Sequence, residues 1–249
     1  MKISLILPFR KRVDMLYNML SSVRNTANNP SNIEVVMAID YDDLDAMRTL
    51  GKIATYPSLK ISILITQPSD FFVRDYFNPC AHMASGRWII ALNDDSEFMT
   101  KDWDMMIIER MEETSKRIGD DILLGLINDG IDRHGEDPLY PHFSCWPVAS
   151  KEMVHVLGFY YDPRVVMWGA DHMIARLFRD WCGNKRVVSL TDIFIKHNSV
   201  HSGNSTDRRN YERFEKINRQ YPVNINEMDN KDAIIKFKNY INGGRKYCN

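Results

Sequence analysis

Short apolar runs separated by amphipathic segments dominate the first hundred residues. Ile3 to Leu7, Ile33 to Ile39, Ile61 to Ile65 and Trp88 to Leu92 are each of strand length. Their apolar positions are nearly continuous rather than alternating, the pattern of strands covered on both faces. Val13, Leu16, Met19, Leu20 and Val23 recur at three- or four-residue spacing, and Leu44, Met47, Leu50 and Ile53 repeat that spacing in the next connection. Each set predicts a helix that buries one stripe. Strands alternating with helices predict an α/β protein with a mostly parallel central sheet flanked by helices.

The second half has a different rhythm. A helix is predicted from about Asp102 to Lys116, then an apolar strand from Ile122 to Ile127 and a loop rich in Gly, Asp and Pro from Asn128 to Pro141. Ser150 is placed to cap a helix ending near Gly158, and Met173, Ile174, Leu177 and Phe178 give helical spacing to Ala170–Trp181. From about Ser205 the chain turns polar and charged, with helices expected near Arg208–Asn218 and Lys231–Ile241. No Gly/Ser/Pro-rich linker divides the 249 residues, so one domain with a C-terminal helical extension is expected.

Charge and cysteine content narrow the setting. With 33 Asp+Glu against 32 Lys+Arg there is no global field to draw in a nucleic acid or an anionic membrane, so phosphate recognition has to be local. Cys80, Cys145, Cys182 and Cys248 lie far apart and form no Cys-x-x-Cys pair, which argues against a zinc site or a disulfide scaffold and favours the cytoplasm. The opening apolar stretch is too short for a signal h-region, and no transmembrane segment is expected. Peripheral attachment to a membrane stays open on these grounds.

In open α/β sheets ligands gather at the carboxyl ends of the strands, so the polar residues after each apolar run define one rim. These are Pro8, Phe9, Arg10, Lys11 and Arg12 after the first run, Asp40 to Asp43 after the second, Gln67 to Asp70 after the third, and Asn93, Asp94 and Asp95 after the fourth. The arginines and lysine could offset phosphate charge, and Asp40 or Asp42 could accept hydrogen bonds from a base or ribose. The carboxylates of Asn93-Asp94-Asp95 offer hard oxygen ligands to a divalent cation. Further on, Trp168-Gly169-Ala170-Asp171 opens an amphipathic helix. Asp171 in its first turn could cap the helix or accept a proton from an attacking hydroxyl. His197, after Ile193–Lys196, could be structural or a nitrogen donor suited to Mn²⁺ beside Asp95, with His201 in reserve.

The order of these features resembles the GT-A fold glycosyltransferases, closest to family 2. Pro8 and Arg12 match the ends of that family's Pro-x-Tyr-Asn-Arg segment, and Asp40 matches the aspartate that holds the nucleobase. Asn78 and Gly86 fall at the spacing of its Asn-x-Gly and Ala-x-Gly-Glu-Tyr elements, and Leu92-Asn93-Asp94-Asp95 resembles a form of its Asp-x-Asp metal motif. Lys101-Asp102-Trp103 is similar to the Pro-Gly-Trp that follows, and Trp168 to Asp171 to its Tyr-Gly-Glu-Asp element. The resemblance implies a nucleotide-binding half over residues 1–100, an acceptor half over 101–204, and an extension over 205–249. It implies donor binding by Pro8, Phe9, Arg10, Arg12, Asp40, Asp42, Asn78, Asn93, Asp94 and Trp168, metal binding by Asp95 and His197, and Asp171 as catalytic base. The chain departs from the pattern at Ala170, at Asn93, in Asp40-Tyr41-Asp42-Asp43, and at Tyr76-Phe77, where an Ala-Arg pair is common; Arg74 becomes the displaced candidate for diphosphate contact.

The implied activity is an inverting transfer of a sugar, dependent on Mn²⁺ or Mg²⁺, from a UDP-, dTDP- or GDP-linked donor to a hydroxyl of a glycan or glycolipid. Trp168, Trp146 and Tyr140 could stack on sugar faces, and the charged tail could close over the donor or carry contacts of a homodimer. A nucleotidyltransferase would also use such a sheet and a metal, but the chain has no glycine before Gly51 to form a phosphate loop. A Rossmann dehydrogenase lacks its Gly-x-Gly-x-x-Gly. A non-catalytic sugar-nucleotide-binding protein that keeps the fold is the remaining alternative.

Overall fold

A computed structural model describes residues 2–130, 144–198, 208–222, 224 and 227–243. Four parallel strands form its first half: β1 (Ile3–Phe9), β2 (Ile33–Asp40), β3 (Lys60–Thr66) and β4 (Trp88–Ala91), in the order β3-β2-β1-β4. Successive side chains point to opposite faces, and each face meets its own core. Ile3, Leu5 and Leu7 join Leu16, Met19, Leu20 and Val23 of α1 (Val13–Thr26). Ile6, Val36, Ala38 and Ile89 face the other way, into a core completed by the later helices. This two-sided burial is why β1 and β2 carry almost no polar residues.

Two expectations shift at the sheet's edge. The outermost strand, β3, is only half-buried, and Ile65 on it is exposed. In α2 (Leu44–Ala54) the buried positions are Ala46 and Ile53, whereas Leu44 is 63% exposed. Asp43 caps this helix by accepting from the Ala46 amide at 3.2 Å, which starts it beyond the sheet edge and leaves Leu44 outside the core.

A π-helical turn, Val73–Phe77, followed by α3 (Asn78–Met83), has no counterpart in the sequence-based expectation. Pro79 lies in the first turn of α3, where its missing N–H is not needed. Gly86 then lets β4 enter beside β1: a Cβ there would lie 2.6 Å from the Ser4 backbone nitrogen.

Beyond β4 the sheet becomes mixed. Short β5 (Ser96–Phe98) is followed by α4 (Trp103–Ile118), β6 (Leu124–Asn128), β7 (Pro147–Ser150), α5 (Lys151–Leu157), α6 (Ala170–Cys182) and β8 (Val187–His197). β7 runs antiparallel between β4 and β6, β8 lies parallel to β6, and β5 pairs antiparallel with β8 at the far edge. Asp102, at the position of the resembled glycine in Pro-Gly-Trp, adopts φ 56°, a left-handed conformation that aspartate tolerates better than most residues. Ser150 caps α5 through Met153 N, and Gly158 ends it with φ 85°, as the residue types predict.

The C-terminal segment contributes α7 (Arg208–Gln220) and α8 (Lys231–Asn242). Phe237 of α8 is fully buried, 4.5 Å from the Trp181 ring, and Tyr240 donates to Glu152 of α5 at 2.5 Å. The extension therefore completes the second core. No helix among the described residues is long and apolar enough to cross a membrane. Phe237→Ala is expected to destabilise the protein by about 3–5 kcal/mol in denaturant titration, the usual cost of emptying a buried aromatic site. A loss below about 1 kcal/mol would mean that α8 is not part of the core.

Candidate functional site

Acidic residues converge at the carboxyl ends of β2 and β4, and the loop after β1 supplies much of the charge that balances them. Arg10, Lys11 and Arg12 follow β1, with Lys11 in a left-handed conformation at φ 63°. Its backbone N–H donates to Asp43 Oδ2 at 2.5 Å, so the aspartate that caps α2 also fixes this loop. The flanking arginines then project toward two acid pairs.

Arg10 donates through Nη1 and Nη2 to Asp42 at 2.6 and 3.1 Å, and Nη1 also reaches Asp40. Its hydrogen bond to Asp42 raises the Arg10 pKa against the opposing effect of burial, and Asp42 is lowered in return. The other oxygen of buried Asp40 accepts from the Tyr76 hydroxyl at 2.6 Å, and that hydroxyl accepts from Ser69 N at 2.7 Å. Burial, then the bond to Asp40, pushes the Tyr76 pKa upward, so the phenol remains a donor. Tyr76 lies on the unanticipated helical segment, and the only sequence signal for it is the departure at Tyr76-Phe77.

Arg12 binds the second pair. Its Nε lies 3.0 Å from Asp94 Oδ2, Nη2 closes a fork on Asp94 Oδ1, and Nη1 lies 3.3 Å from Asp95 Oδ2. Asp94 and Asp95 are only 1% and 8% exposed. For Asp94, burial outweighs the pull of Arg12 and, with the charge of Asp95, raises its pKa. For Asp95, burial is overcome by His197 and Arg12, and its pKa falls.

The β5–β8 pairing places Ser96 opposite His197, and Asn198 N donates to the Asp95 carbonyl at 2.9 Å. His197 Nε2 thereby comes within 3.5 Å of Asp95 Oδ1, a buried oxygen without a hydrogen bond among the described residues. The Trp146 ring packs edge-on against the imidazole at 4.8 Å, and its Nε1 donates to the Ile195 carbonyl. A buried carboxylate oxygen facing an imidazole nitrogen fits a divalent cation of borderline character. No group of three His, Cys, Asp or Glu side chains among the described residues could hold an ion.

The other candidates divide between the rim and the interior. Gly169, at φ 88°, turns the chain into α6 and sets Asp171 in the first turn, where its carboxylate accepts from His172 N at 2.9 Å. Trp168 beside it is 42% exposed. The charge of Asp171 reaches the buried Tyr161 hydroxyl, whose pKa is raised first by burial. Asn93 closes the turn after β4, its N–H donating to Ser96 Oγ at 3.3 Å. Pro8 stays half-buried at the strand end, but the Phe9 ring is buried in the first core. The Asn78 side chain holds backbone groups of Tyr160 and Tyr161 at 2.9 to 3.0 Å. Exposed Arg74 pairs with Asp75 and stacks 4.3 Å over Phe71. His201, Tyr140 and Cys248 lie outside the described residues.

The charged tail also reaches this rim. Arg213 of α7 donates to Asp70 at 3.2 Å, and Tyr221 packs against Phe71 at 5.1 Å, beside the Ser69–Tyr76–Asp40 chain.

Residues 4–145, more than half of the chain, match the family model described as Glycosyl transferase family 2. The fold is similar to that of S. aureus TarS in complex with UDP, with TM-score 0.59 and 12% identity over 99% of this chain and 74% of that one. TarS in complex with UDP-GlcNAc gives 0.57 and 14% over 99% and 74%. The mannosyltransferase PcManGT from Pyrobaculum calidifontis, in complex with GDP-Man and Mn²⁺, gives 0.56 and 12% over 100% and 76%. None of the curated protein sequences matches the chain.

Asn78→Ala removes a side chain that holds three backbone groups, so it should lower stability by about 1–3 kcal/mol in denaturant titration. Unchanged stability with loss of nucleotide binding would instead assign Asn78 to the ligand.

Proposed function

The chain belongs to glycosyl transferase family 2, and from that premise we propose that it is an inverting, metal-dependent hexosyl- or deoxyhexosyltransferase acting on a nucleoside diphosphate sugar. The observation that carries this reading is buried Asp95 Oδ1 facing His197 Nε2 at 3.5 Å beside a rim of acids and arginines. The donor is UDP-, dTDP- or GDP-linked, and the acceptor is a hydroxyl of a glycan or glycolipid. Residues 1–100 are the donor half, 101–204 the acceptor half, and 205–249 a C-terminal helical extension.

Each side chain then has a task set by its chemistry. Asp40 and Asp42 accept hydrogen bonds from the base or ribose, while Arg10 holds both carboxylates in place and shares the charge of the diphosphate. Arg74 reaches the same phosphates, and Asp94 contacts the ribose or sugar. Asp95 and His197 would hold Mn²⁺ or Mg²⁺, which when bound stabilises the negative charge growing on the diphosphate. Asp171 takes the proton from the acceptor hydroxyl as that oxygen bonds to the anomeric carbon, while the bond from that carbon to the diphosphate oxygen breaks on the opposite face. Trp168 offers its exposed ring as a wall for the acceptor sugar.

Asp171→Asn removes the proton acceptor with little change in shape. Transfer should fall by roughly a hundred- to ten-thousand-fold while donor affinity by calorimetry stays close to native. Near-native turnover would exclude Asp171 as the base. Asp95→Ala should weaken nucleotide binding in Mn²⁺ and leave a residual affinity that EDTA no longer changes. Metal dependence equal to native would move the cation away from Asp95.

A further inference from the structure

Arg12 occupies an unusual place for a residue expected to meet phosphate, because three of its nitrogens lie on the two carboxylates of the metal motif. The fork on Asp94 has Nε at 3.0 Å, and the third bond, Nη1 to Asp95 Oδ2, is longer, at 3.3 Å. The Asp95 carboxylate is thereby divided, with one oxygen on the guanidinium and the other directed at His197 Nε2. Both acids are buried, and buried carboxylates need a cation held against them. The loop carrying Arg12 is itself fixed, since Lys11 N is bound by Asp43.

We propose that Arg12 is a built-in counter-cation that stands in for the divalent metal at Asp95, so that the metal binds weakly alone and tightly only together with a nucleoside diphosphate. This rests on the assignment of Asp95 and His197 as metal ligands. A divalent ion approaching them meets a guanidinium already in contact with the same carboxylate, and like charges so close in a partly dehydrated pocket repel. A diphosphate reverses the balance. It supplies the anionic oxygens that the ion needs, and it gives the guanidinium an acceptor suited to its planar fork. The long bond to Asp95 is exchanged, while the fork on Asp94 keeps Arg12 in position.

The test measures Mn²⁺ binding to the full chain by electron paramagnetic resonance of the free ion, first without nucleotide and then with UDP or GDP. In the native protein Mn²⁺ alone binds weakly, and the nucleotide tightens it. Arg12→Met should bind Mn²⁺ alone on the order of tenfold more tightly, through loss of one adjacent like charge, and the gain on adding nucleotide should shrink. Because Arg12→Met strips the counter-charge from two buried carboxylates, Arg12→Met combined with Asp94→Asn is measured beside it. This pair removes one cation and one anion together, so the charge effects nearly cancel; Mn²⁺ alone should still bind more tightly than in the native protein, by less than in Arg12→Met, because Asp95 Oδ2 is released from the guanidinium. Mn²⁺ affinity no higher than native in the paired variant overturns the proposal. Failure of the native protein to bind Mn²⁺ even with nucleotide overturns the metal assignment beneath it.

Discussion

Carboxylates buried at the ends of parallel strands are unstable company for one another, and the site depends on the cations held against them. Asp40, Asp94 and Asp95, with the exposed Asp42 beside them, converge where β2 and β4 end, on either side of the loop that follows β1. That loop meets both pairs, Arg10 on the first and Arg12 on the second. Removing one partner of a buried pair such as Arg12 with Asp94 typically costs about 3–5 kcal/mol, a large fraction of the stability of a domain this size. The left-handed turn at Lys11 and its bond to Asp43 are thus part of the electrostatics, because they set where the two guanidiniums start.

The rest of the fold brings the remaining groups to this rim. Two cores, one on each face of the sheet, hold β1 and β2 rigidly enough for their ends to serve as fixed points. The mixed half of the sheet then carries His197 to Asp95 through the β5–β8 pairing, and Trp146 packs against the imidazole. The π-helical turn delivers Tyr76 to Asp40, and α7 packs against the loop that holds Tyr76. The Asp40 and Asp95 ends of the rim are therefore built from distant parts of the chain on a common sheet.

How much of this was legible depended on how local each feature is. The first strands and α1 could be read because strands buried on both faces leave long apolar runs. The stripe assigned to α2 failed at Leu44, because the cap at Asp43 sets where the helix starts and the sheet edge leaves its first residue uncovered. The helical segment carrying Tyr76 and Asn78 was missed, since its aromatic residues and Pro79 obscure any helical period. Asn78 and Gly86 match the family's spacing, yet here one holds backbone groups and the other admits β4 beside β1. The meeting of Arg12 with Asp94 and of His197 with Asp95 spans some 80 and 100 positions respectively, and only tertiary pairing reveals it.

If the proposed function holds, these acids and arginines form a site for a metal–nucleoside diphosphate complex. Diffraction at the manganese absorption edge from crystals grown with Mn²⁺ and a nucleoside diphosphate tests it most directly. One anomalous peak is expected within ligand distance of the Asp95 carboxylate and His197 Nε2, bridged to the diphosphate, with the base beside Asp40. A nucleotide bound with no such peak, or manganese held elsewhere, would contradict it.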